Sequence, residues 1–110
     1  MAINTNNITA QMRKGFLEYC ILLILKKKEA YTSYIITELK EAKLIVVEGT
    51  LYPLLTRLKN SGLLNYYWKE STQGPPRKSY ELTDNGTVFL DELEKSWNEI
   101  KNSVDYIKNK

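Results

Sequence analysis

Histidine is absent from the chain, and cysteine occurs once, at Cys20. Those two scarcities remove a zinc cluster, a cysteine–histidine pair and a serine–histidine–aspartate triad from consideration. No acid/base pair or nucleophile–base set follows from motif spacing, so the chain does not read as an enzyme, and no cofactor or metal is expected. Cys20 lies in the run CILLIL, where a free thiol behaves as a small hydrophobe, and a single thiol suits a reducing compartment. No apolar run approaches the roughly 18 residues of a membrane span. The opening MAINTNNITAQMRKG lacks the apolar region of a signal peptide, so a cytoplasmic protein is expected. Low-complexity linkers and internal repeats are also missing. What remains is 110 residues, 43% of them apolar, enough for one small core that would gain from a partner subunit.

Charge is unevenly spread. Residues 1–83 carry 12 Lys/Arg against 7 Asp/Glu, whereas residues 84–110 carry 4 against 6. An anionic partner, if there is one, belongs to the first part of the chain.

The spacing of apolar residues predicts a first helix over about Ile8 to Lys28. Leu17, Cys20, Ile21, Ile24 and Leu25 form one stripe, which Phe16, Leu22 and Leu23 widen nearly all round, so the helix is buried on more than one side. A second helix starts near Thr32 or Ser33, either of which can cap it, turns Ile35, Ile36 and Leu39 inward, and ends near Glu41 or Ala42. The stretch EGTLYPLLTRLKNSGLL predicts a third helix from Glu48 to Asn60, slightly bent at Pro53 and stopped by Gly62. LLNYYW and RKSYEL read as two strands of a hairpin whose long flexible tip is KESTQGPP. Thr83 caps a last helix that reaches about Lys108.

Three helices followed by a hairpin is the order of a winged helix-turn-helix, in which the third helix enters the DNA major groove. The fold expected is therefore mainly α with a small β-hairpin, a winged helix-turn-helix over residues 8–83 plus a long C-terminal dimerisation helix over 84–108. Residues 1–7 and 109–110 are expected to be disordered. The outer face of the third helix offers Thr50, Tyr52, Arg57 and Lys59, and no acid follows Glu48 until the hairpin. Arg57 and Lys59 suit phosphates or guanine, Thr50 a phosphate or base edge, Tyr52 a phosphate or thymine methyl. Lys69, Gln73, Arg77 and Lys78 surround the hairpin tip and suit a backbone or minor-groove contact. The alternative is that all are ordinary solvated residues of a surface and a turn. A further rival is a winged-helix protein-interaction module without ligand sensing, but it would not need the cations.

Two blocks, EGTLYPLLTRLKNSGLL and GPPRKSYELTDNG, together resemble the PadR family of transcriptional regulators: the first is the family's recognition-helix signature, the second its wing and exit. The resemblance spans about Met12 to Lys108. The single last helix is similar to that of the small PadR subfamily, which includes a multidrug-responsive repressor of lactic acid bacteria. The family's second helix usually opens Tyr-Gly-Tyr-Glu; here stand Tyr31, Thr32, Ser33 and Tyr34, and hydroxyls at a helix N-terminus still hold a phosphate. Val47 occupies the position where a capping side chain would help the third helix.

On the last helix Leu90, Leu93, Trp97, Ile100, Val104 and Ile107 are spaced 3, 4, 3, 4, 3, a heptad seam that needs a partner. A homodimer, matched to two half-sites of a palindromic operator, is the simplest. Trp97 reads either as a large residue packed in that seam or as a ligand platform. The resemblance implies the second: a Trp from each subunit stacks planar aromatic compounds at the dimer centre. Leu93, Ile100 and Lys101 would then be its helix neighbours, with Tyr19, Cys20 and Leu23 on the facing wall.

Overall fold

A computed structural model describes residues 3–110. Four helices and three short strands follow one another as α1 (Asn6–Lys27), β1 (Ala30–Tyr31), α2 (Thr32–Glu41), α3 (Glu48–Asn60), β2 (Leu64–Ser71), β3 (Gly74–Leu82) and α4 (Asp84–Lys108). The fold is mainly helical with a small antiparallel sheet, the winged helix-turn-helix plus C-terminal helix expected from the sequence. The core joins Leu17, Ile21, Leu22 and Leu25 of α1 to Ile35 and Leu39 of α2, Leu51, Leu55 and Leu58 of α3, Leu64, Tyr80 and Leu90. The inward stripes of α2 and α3 are those their 3.6-residue periodicity requires, with Ile36 and Leu54 half-buried at the margin.

Several local expectations are corrected. α1 begins at Asn6 rather than Ile8, so part of the segment expected to be disordered is helical; Met1 and Ala2 lie outside the described residues. Neither Thr32 nor Ser33 caps α2. The cap position is Tyr31, whose backbone is extended because it pairs in β1 and whose side chain makes no cap bond. The expected hairpin is a three-stranded sheet in the order β1-β3-β2. Its tip is tight rather than long: pairing runs from Leu64↔Leu82 out to Ser71↔Gly74, with a shift between Lys69 and Ser71. Pro75 and Pro76 are tolerated in β3 because β1 pairs only with Ser79 and Tyr80, leaving the outer part of the strand with one neighbour. α3 runs through Pro53 without interruption.

The junction into α4 is built from three groups. Thr83 Oγ1 accepts from the Gly86 N–H at 2.9 Å, the expected N-cap, and donates to the Gly62 carbonyl at 2.7 Å. Gly62 itself is left-handed (φ 80°), as expected for the residue that stops α3. At Gly86 a Cβ would lie 2.1 Å from the Leu63 carbonyl oxygen, so only glycine lets α4 start this close to the α3–β2 turn. The radius of gyration is 16.3 Å, above the ~13 Å of a compact chain this long, because the molecule is drawn out to 56 Å along its longest axis. Among the described residues no helix is long and apolar enough to cross a membrane.

Candidate nucleic-acid interface

With Leu51, Leu55 and Leu58 in the core, the opposite face of α3 is forced outward, exposing Thr50, Tyr52, Thr56, Arg57 and Lys59. Tyr52 and Glu48 form one wall of an open cleft of about 480 Å³. Tyr31, Thr32 and Ser33 at the start of α2 form a second wall, and Trp68, Pro76, Arg77 and Lys78 of the wing a third. The cleft thus gathers one helix N-terminus, hydroxyls and two wing cations. Pairing Trp68 with Lys78 across the sheet puts both on one face beside Tyr66, and the Lys78 ammonium lies 4.3 Å from the Tyr66 ring and 5.5 Å from Trp68. The Arg77 guanidinium stands 5.4 Å from the Tyr31 ring. Lys59 approaches Tyr66 from the end of α3, at 5.7 Å. Among the described residues Lys59, Arg77 and Lys78 have no carboxylate within ion-pair distance.

Other expected contacts are placed differently. Lys69 is tied to Glu29, before β1, at 2.5 Å, and this hydrogen bond raises its pKa. It therefore braces the wing against the end of α1 instead of standing free beside Glu70. Tyr34 packs against the core, under the Lys28 ammonium at 4.4 Å, and a hydrogen bond to Glu38 raises its phenol pKa. It lies apart from Thr32 and Ser33, which do line the cleft. Arg57 pairs with Glu18 of α1. Gln73 sits in the hairpin turn, its N–H donating to Ser71 Oγ at 3.3 Å. Sequence reasoning passed over Tyr31 and Trp68 as site residues. Trp68 carried a signal: a large aromatic on a wing strand beside Lys69, here 62% exposed at the cleft.

The model of the transcriptional regulator PadR-like family matches residues 21–92. The chain belongs to this family. It is 66% identical to a PadR-like transcription factor from Bacteroides fragilis of known X-ray structure, over 92% of this chain and 98% of that one, with a TM-score of 0.77. A PadR-like transcriptional regulator from Bacillus cereus is 39% identical over 88% and 95%, TM-score 0.78. A PadR family transcriptional regulator from Eggerthella lenta is 30% identical over 94% and 90%, TM-score 0.82.

In this PadR chain the last helix divides into two parts. Leu90 is 1% exposed and completes the chain's own core, so it is corrected from seam to interior. Leu93 is half-buried against that core. Beyond it the surface opens: Ile100, Val104 and Ile107 are exposed, as are Ile8 and Met12 on α1. Trp97 is half-buried, and Phe16 of α1 meets it edge-on, with ring centroids 5.0 Å apart. The sequence marks Phe16 only as part of the apolar stripe of α1, and nothing local in it signals the contact with Trp97. Tyr19, Cys20 and Leu23 are half-buried against the core. Burial, then Glu94, raises the Tyr19 pKa, and burial raises that of the Cys20 thiol. Lys101 is exposed.

Proposed function

We propose that this PadR-family regulator is a homodimeric repressor that binds a palindromic operator. α3 lies in the major groove and the wing cations Arg77 and Lys78 lie on the flanking backbone. The observation that carries this reading is the cleft where α2, α3 and the wing converge: Thr32, Ser33, Tyr52, Arg77 and Lys78 line one surface, and among the described residues its wing cations have no carboxylate partner. Hydroxyls at the α2 N-terminus, with the dipole behind them, suit a phosphate. Dimerisation is supported by the apolar residues that α1 and α4 leave exposed within one chain. Repression follows if the bound dimer blocks polymerase.

Release by a planar aromatic ligand at the subunit boundary is the further part of this reading, with Trp97 as platform. Edge-on contact with Phe16 holds the Trp97 ring in one orientation while leaving it half-exposed. A cationic aromatic stacked there would gain about 0.5–2 kcal/mol per ring beyond apolar burial.

A salt-titrated gel shift against the promoter region of the protein's own gene tests DNA binding, and sedimentation at micromolar concentration tests the dimer. Binding that ignores salt, or a monomer throughout, overturns the respective claim. The two tryptophans separate the sites. DNA should quench Trp68, while a planar dye should quench Trp97, so dye binding should vanish in Trp97→Ala and survive in Trp68→Phe. Equal dye affinity in both variants would leave Trp97 as packing alone.

A further inference from the structure

α1 is wedged between the two working parts of the molecule. Phe16 touches Trp97 of α4 on one side. Glu18, two residues on and therefore about 200° round the helix, meets Arg57 of α3 on the other. Glu18 is the only acidic residue in α1. Its side chain is 34% exposed against 63% for Arg57, so the guanidinium is the more solvent-accessible partner. The pairing divides the outer face of α3: Lys59, toward the wing, has no acid beside it, whereas Arg57, toward α1, is neutralised in place.

A phosphate or guanine can take Arg57 only by displacing Glu18, or by accepting a carboxylate close to the duplex. Either lowers the affinity for any DNA. The penalty is offset only where the duplex presents acceptors in the fork geometry that a guanidinium prefers. We propose that Glu18 is a specificity-setting residue, an internal competitor for Arg57 that weakens binding to random DNA more than binding to the operator. The proposal rests on the DNA-binding reading above.

The test uses the full chain with two duplexes of equal length, one of random sequence and one from the promoter region of the protein's own gene, and affinity is followed by fluorescence anisotropy across a salt series. Wild type is compared with Glu18→Gln, Arg57→Gln and the double variant; glutamine keeps the size of Glu18, and melting curves verify the fold. Glu18→Gln should bind the random duplex about 3- to 10-fold tighter and the promoter duplex tighter by a smaller factor; an equal gain on both duplexes overturns the proposal. The substitution should steepen the plot of log affinity against log salt by up to about 0.9 per subunit, the value of one further phosphate neutralised. In the Arg57→Gln background the same change should have less than half that effect. An equal gain in both backgrounds would mean that Glu18 acts only through its net charge, and no gain would mean that it does not compete; either overturns the proposal. If Arg57→Gln is neutral while Lys78→Gln weakens binding, the proposal fails and the DNA-binding reading stands. If wild type binds no duplex even at low salt, both fall.

Discussion

The two surfaces that α1 separates are of opposite chemistry. On one side lie α2, α3 and the wing, where, among the described residues, ammonium and guanidinium groups without a carboxylate partner stand against aromatic rings. On the other lies α4, where Ile100, Val104 and Ile107 stand exposed, as do Ile8 and Met12 of α1. Desolvation explains the contrast. Protein cations that reach a duplex displace the counterions condensed on its phosphates, and lose little when they stand in water beforehand. Apolar groups gain only when water is removed, so an exposed row of them points to another protein surface. The chain thus separates a surface suited to a wet contact from one suited to a dry contact.

The largest expected effect is on the dry surface. Val104→Asp, at a position half-exposed in the single chain, should leave the subunit fold intact and weaken dimerisation by about 3 kcal/mol or more. That is at least roughly 100-fold in dissociation constant, read by sedimentation. Leu93→Asp should unfold the subunit as well, since Leu93 packs against its core; if the two variants behave alike, the division of α4 drawn above is wrong. At the boundary between the surfaces, Gly86→Ala should lower stability by about 2–3 kcal/mol in chemical denaturation, because its Cβ would meet backbone rather than a movable side chain. Thr83→Ala should cost about 1–2 kcal/mol through loss of the cap and of the bond to Gly62, with Thr83→Ser restoring most of it. The smallest effect falls on the wet surface. Lys78→Ala should weaken every duplex alike, by about 1 kcal/mol per subunit at moderate salt, and flatten the salt slope by about 0.9 per subunit.

Periodic segments were legible from the sequence because burial leaves a period. The inward faces of α2 and α3, the stop at Gly62 and the Thr83 cap all follow from local chemistry. What escaped depends on distant partners. β1 is two residues long and exists only because Ser79 and Tyr80 return beside it, so no periodic signal could mark it. The tight hairpin tip hid behind Gly74, Pro75 and Pro76, residues that read as loop until a strand with one neighbour makes them admissible. The outer face of α3 was readable as polar and cationic, but not the pairing of Arg57 with a carboxylate 39 positions earlier. Lys69 and Glu29 tell the same story across 40 residues. Leu90 fits a heptad perfectly well, yet the hydrophobic spacing of a helix does not say which neighbour will cover each residue.

Gly86 has a mechanical consequence. By letting α4 start against the Leu63 carbonyl, with Thr83 pinning the same turn, it removes the slack that a linker would supply between the helix and the winged module. Helix and module then behave as one arm, of which the 25 residues of α4 supply ~37 Å. In the proposed dimer the bearing is the apolar surface that α1 and α4 leave exposed. A tilt of about 5° there moves the far end of such an arm by ~3 Å, roughly the rise of one base pair. The stiffness of one glycine junction would in this way translate a slight rocking at the bearing into a change of stride along the duplex.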